Sequence, residues 1–136
     1  MRTILFLQFL ALSISLSAQI DTKEMTIFFD NLTSNKGFIM ILVEDKNEKE
    51  VSKLVLPVQN HSSKAIIFLP QGEYSITAFH DLNGNEKLDT NFLGVPTEPY
   101  GFTNNVRNLL SKPKMEERLV TLDESKSVTF NLDTYP

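Results

Sequence analysis

The chain has 136 residues, 41% of them hydrophobic and 22% charged, with no cysteine and no tryptophan. These values fit one folded domain and exclude a disordered chain, a collagen-like repeat and a polytopic membrane protein. Without cysteine there is no disulfide framework, thiolate metal site or thiol nucleophile. A formal charge of −4 lacks the basic excess that a nucleic-acid partner demands.

The first element is an address. Met1-Arg2 is followed by an apolar run from Ile4 to Leu16 and then by small residues, Ser17 and Ala18. One positive charge, a short apolar run and small residues describe a secretory signal peptide over residues 1–18. The run is short of the ~20 apolar residues of a bilayer-spanning helix. Residues 19–136 are then a single mature domain with no membrane span after cleavage. It carries no cysteine for a lipid anchor, and it is expected in the periplasm or secreted.

Period-2 alternation and β-branched or aromatic runs dominate from there on. Strands are predicted over Met25–Asn31, Gly37–Glu44, Val51–Val58, Lys64–Leu69, Glu73–His80, Arg118–Leu122 and Ser127–Leu132. The third is weaker, and Pro57 demotes its end. In the fifth, Tyr74, Ile76, Ala78 and His80 share one face, and Ser75, Thr77 and Phe79 the other. No segment has a convincing amphipathic-helix pattern; Asn105–Glu117 has room for a turn or two. The reading is all-β, a β-sandwich of about seven strands with one long ordered loop.

That loop separates His80 from Arg118 by more than thirty residues. Structureless connections of this length are uncommon in compact domains. This one carries Phe92, Leu93, Val95, Tyr100 and Phe102, enough apolar surface to pack down, and its glycines and prolines fix turns. Its first part, Asp81-Leu82-Asn83-Gly84-Asn85-Glu86-Lys87-Leu88-Asp89, reads DxNxNxxxD. Calcium takes six to eight oxygens, and a tight loop turns alternate side chains inward. Asp81, Asn83, Asn85 and Asp89 would offer side-chain oxygens and Lys87 its backbone carbonyl. An EF-hand needs Gly at position 6 and Glu at position 12; Glu86 and Phe92 stand there, so the loop is not one. Glu98 is the nearest further carboxylate. With so few charged ligands, binding would fall at about 10⁻⁴–10⁻³ M. The competing reading is an Asx-rich turn capping its own backbone, and spacing alone leaves both open.

The stretch Leu69–Phe102 (LPQGEYSITAFHDLNGNEKLDTNFLGVPTEPYGF) resembles a family of small exported bacterial proteins known only as a domain of unknown function. The shared pattern is an LPxGxY strand start followed by HDxNxNxKLDTNxxGxPxExYGF, and the resemblance spans essentially the mature chain. Pro99 and Thr103 stand where variable residues are expected. Leu69, Pro70, Gly72 and Tyr74 are also similar to the strand start of transthyretin-like and carboxypeptidase-regulatory-like sandwiches. The DxNxN loop is similar to calcium-binding repeats of bacterial surface adhesins. These likenesses imply an immunoglobulin-like or prealbumin-like fold and favour calcium over a self-capped turn. They imply no activity.

Other candidates are weaker. His80 beside Asp81 invites a small hydrolase or lyase using an adjacent carboxylate, Asp81 or Glu98. No GxSxG or HExxH motif accompanies it, and a packed histidine bracing the loop is the simpler account. His61 lies in a polar turn. Tyr100, Phe102, Asn104 and Asn105, with Arg107, suit an envelope polysaccharide or protein ligand, because rings stack and amides orient; the rings would also anchor the loop. Lys112, Lys114, Glu116, Glu117 and Arg118 read as a solvated edge. The sequence therefore points to an exported non-enzymatic binding or structural module.

Overall fold

A computed structural model describes residues 20–108 and 111–134. The predicted signal peptide, residues 1–18, lies outside the described residues. Eight strands form two sheets: β1 (Thr22–Phe29), β2 (Phe38–Asp45), β3 (Glu50–Pro57), β4 (Ser63–Pro70), β5 (Gly72–Asp81), β6 (Tyr100–Phe102), β7 (Leu119–Leu122) and β8 (Lys126–Phe130). One sheet runs β4-β1-β8. The other runs β3-β2-β5-β6, with β7 also on β5. The expected all-β sandwich is present with one strand more than expected. The addition, β6, has three residues, too few for a period of two to show in sequence.

Alternation determines which side chains meet between the sheets. Met25, Ile27 and Phe29 of β1 and Ala65, Ile67 and Leu69 of β4 point inward from one sheet. Ile39, Ile41 and Val43 of β2 and Tyr74, Ile76 and Ala78 of β5 meet them from the other. Each large apolar side chain buried here stabilises the fold by about 1.5–3 kcal/mol. The last strand, β8, lies parallel to β1. Its Phe130 ring sits 5.2 Å from that of Phe29, so the chain's end closes the core.

Strand β5 organises everything functional. One edge pairs with β2 from Tyr74 to Asp81. The other edge is shared, β7 pairing with Gly72–Ser75 and β6 with Thr77–Phe79. Between them Thr103 fills the gap. Its hydroxyl accepts from the Ile76 N–H and donates to the Ile76 carbonyl, completing the β5 edge where neither strand reaches. Thr103 is therefore a structural position in this chain.

Tyr74 is held at the start of β5 by donating its hydroxyl to the Pro70 carbonyl, 2.8 Å away. Burial first, and then the charge of Asp45, push its phenol above the ordinary range. A raised folded pKa favours the neutral phenol, so this stability is intact below the unfolded value near 10 and is lost as pH rises through the folded one. One of the three tyrosines should thus ionise late in a phenolate absorbance titration, together with alkaline unfolding. Tyr74→Phe should abolish the late step and cost about 1 kcal/mol for the lost hydrogen bond. Late ionisation persisting in that variant would assign it elsewhere.

Candidate functional site

The Asp81–Asp89 loop leaves the end of β5 with Asp81 fully buried. One Asp81 carboxylate oxygen accepts from the N–H groups of Gly84 (2.8 Å) and Asn85 (3.2 Å), and the other from Glu86 (2.8 Å). Asn83 and Asn85 turn back through Asx-type bonds, their amide oxygens accepting from the N–H of Asn85 and Lys87. Their amide nitrogens converge on Asp89, at 2.6 Å to one carboxylate oxygen and 2.9 Å to the other. Glu98, also buried, accepts from the N–H of Leu82 (2.8 Å) and of Asp89 (3.1 Å). One carboxylate thereby fastens both ends of the loop. The Thr97 N–H donates to the Asp89 carbonyl, and the His80 N–H to the Pro99 carbonyl, which ties the return of the excursion to its departure.

The loop is thus self-capped. Among the described residues no group of three or more His, Asp or Glu is arranged to hold a metal. Asp89 is the carboxylate on which the loop's amides converge. Two carboxamides already face both of its oxygens, with N–H groups supplying the positive charge. The oxygens of the same amides, which a cation at Asp89 would need, accept from the N–H groups of Asn85 and Lys87. Leu82 is partly exposed and Leu88 half-buried.

Beside this loop lies an open groove of about 500 Å³. Thr77 and Phe79 of β5 and Tyr100 and Phe102 of β6 help to line it, as do Leu93 from the loop and Lys112 from the segment before β7. The Thr77 hydroxyl is buried there without a partner among the described residues. The structure brings Tyr100 and Phe102 together edge to face at 6.0 Å and places both in the groove. Asn104 and Asn105 do not join them. The Asn104 amide donates to the Glu117 and Leu119 carbonyls. Asn105 clasps the end of β8, donating to Thr129 O and accepting from the Asn131 N–H. Arg107 lies 5.5 Å over the Tyr100 ring and donates to the Tyr100 and Asn131 carbonyls.

A family model described as "Uncharacterized protein conserved in bacteria (DUF2141)" matches residues 18–130. The chain belongs to this family. No curated protein and no solved structure matches it. The DUF2141 match takes in all eight strands, the loop and the groove.

In this DUF2141 member the His80 side chain is fully buried on the inner face of β5. Its Nε2 meets the Lys36 carbonyl at 2.7 Å, so the ring braces the turn before β2, while the backbone N–H of His80 ties to the excursion. Its Nδ1 has no partner among the described residues. Both candidate carboxylate partners, Asp81 and Glu98, are filled by backbone N–H groups. His61 is exposed, with Nδ1 2.6 Å from the Leu32 carbonyl.

The charged run before β7 is not a plain solvated edge, because Arg118 is only 1% exposed. Its guanidinium donates to Ser75 Oγ (2.8 Å), to the Pro113 carbonyl (3.1 Å) and to Glu44 (3.4 Å). Lys112 reaches the same Glu44 oxygen at 3.5 Å. Among the described residues no helix is long and apolar enough to cross a membrane.

Proposed function

We propose that this protein is an exported, non-enzymatic binding or structural module of the bacterial envelope, with calcium stabilising its Asp81–Asp89 loop. The observation that carries the reading is the convergence of the Asn83 and Asn85 amides on Asp89, in a loop closed at both ends by buried Glu98. This arrangement holds a long excursion in one shape and makes it a wall of the groove floored by Tyr100 and Phe102. The N-terminal apolar run supports export, and millimolar calcium is at hand outside the cell for a site of weak affinity. The sealed position of His80, with its neighbouring carboxylates saturated, supports a module over a hydrolase or lyase.

Calcium-dependent melting tests the reading. At about 5 mM calcium the stability should rise by about 1–2 kcal/mol, a shift of roughly 4–8 °C for a domain of this size. Asn83→Asp with Asn85→Asp sharpens the test. Without metal, two hydrogen bonds to Asp89 are replaced by like charges, and the melting temperature should fall by several degrees. With metal, added ligand charge should enlarge the calcium shift beyond that of the native loop. No shift in either protein would overturn the calcium reading and leave the loop a self-capped turn.

A further inference from the structure

On the outer face of the β3-β2-β5-β6 sheet, Glu44, Ser75 and Phe102 are buried beneath Arg118, while the apolar part toward β3 stays exposed among the described residues. Registered pairing places Val55, Met40, Phe79 and Tyr100 in one row across four strands. Phe38 lies on the same face, two residues from Met40. The loop tip beside this row carries Phe92 at 95% exposure and Leu93 at 72%, while Val55 is 55% and Phe38 44% exposed. These are not side chains waving on a loose tether. The Asn91 side chain accepts from the N–H of Leu93 and of Val95, and the Gly94 N–H donates to the Asn91 carbonyl, so the backbone that carries Phe92 is held in a turn.

We propose that the partner at this face is a second copy of the chain, in a two-fold arrangement that seats the Phe92–Leu93 tip of each copy in the groove of the other. The proposal rests on the module reading above and names its partner. Three observations select this occupant. First, the protrusion and the recess are neighbours on one face, Leu93 itself being a groove wall. A two-fold axis between them satisfies both at once, since residue i meets j and j meets i. Second, the charges complement. Among the charges that reach the surface, the stretch that bears the tip has Glu86 and the half-buried Asp89 against Lys87, whereas Lys112 and Lys114 stand exposed across the groove. Exchange sets each acidic loop against the other copy's Lys112, which is 49% exposed at its side chain. Third, the area suffices. The exposed parts of Phe92, Leu93, Val55 and Phe38 carry on the order of 500 Å² of apolar surface. Two copies would bury about twice that, near the ~1,000 Å² total that a specific interface must clear. A bilayer would engage the tip but leave the recess unfilled.

Sedimentation of the exported chain from about 1 μM to about 1 mM tests this. The expected result is a monomer–dimer equilibrium that weakens as salt rises. Phe92→Ser should weaken association by at least ~30-fold, as removal of a buried aromatic anchor does, with the melting temperature of the monomer unchanged. Ser111→Trp, filling the groove from its exposed rim, should weaken it as well. Mixing the two variants should restore association in part, because one of the two tip–groove contacts is intact in the mixed pair. A monomer throughout the range, an unaffected Phe92→Ser protein, or Phe92-dependent binding to lipid vesicles by a monomer would each overturn the proposal. A monomer that keeps its calcium-dependent melting would leave the module reading standing. A dimer without that shift would overturn only the calcium reading.

Discussion

Gly37→Ala is expected to leave the chain at least about 3 kcal/mol less stable, or unfolded, in a urea titration. Gly37 has φ of +78°, a conformation that disfavours any Cβ. An added Cβ would also overlap the Asp81 carbonyl oxygen and stand 2.9 Å from Leu82 Cα. Both obstacles are backbone, so no rotamer change relieves them. Nor is the turn free to withdraw, because the adjoining Lys36 carbonyl is held by the buried His80 ring at 2.7 Å. The atoms that would have to move are the first of the cation-binding candidate loop, and displacing Asp81 breaks its three bonds to Gly84, Asn85 and Glu86. Gly84 and Gly94 supply the control. Each has positive φ, but nothing lies within 4 Å of an added Cβ, so Gly84→Ala and Gly94→Ala should cost only about 1–2 kcal/mol for backbone strain. Equal effects at all three positions would mean that the Gly37 contact relaxes and that the β2 turn does not hold the loop.

What could be read in advance follows the range of the interactions. The inward face of β5 is legible because a strand's side chains alternate whatever its partner is, so Tyr74, Ile76, Ala78 and His80 announce themselves by period; β4, apolar at every position from Ala65 to Leu69, does not show which face turns inward. The loop's Asx spacing was legible for a similar reason, its bonds spanning two to six residues. Long-range partners were not legible. Three residues become β6 only by pairing with β5 more than twenty positions away. Nothing local distinguishes Asn104 and Asn105, which grip backbone of other segments, from amides that face a ligand. Proximity in sequence suggests Glu98 as a further oxygen donor for the loop, and it serves the loop by accepting backbone N–H bonds. The groove needs Leu93 and Lys112 on opposite sides of a floor built by β5 and β6, an arrangement visible only once the strands are placed. The mixed charges around Arg118 suggest a solvated edge, because its partner Glu44 lies 74 residues away.

Arg118→Ala is expected to cost about 3–5 kcal/mol, the range for breaking a buried pair by removing one partner. The side chain leaves a void where its guanidinium lay 5.7 Å from the Phe102 ring. It also leaves Ser75 Oγ and the Pro113 carbonyl without their donor and gives Glu44, 8% exposed, only Lys112 to balance its charge. The loss should reach the groove, since Arg118 Nε holds the Pro113 carbonyl and Glu44 holds Lys112, and these contacts fix the wall opposite the Leu93 tip. Removing both charges should be milder than removing one. Arg118→Met with Glu44→Gln retains the aliphatic bulk and leaves no unpaired ion, so the double variant should recover much of what Arg118→Met alone loses. Urea unfolding of the four proteins in that cycle decides the matter. Additive losses would show that Glu44 and Arg118 act separately, with Ser75 and Pro113 as the partners that matter. A strong positive coupling would establish the ion pair as the clamp that holds the groove's far wall to β2 and β5.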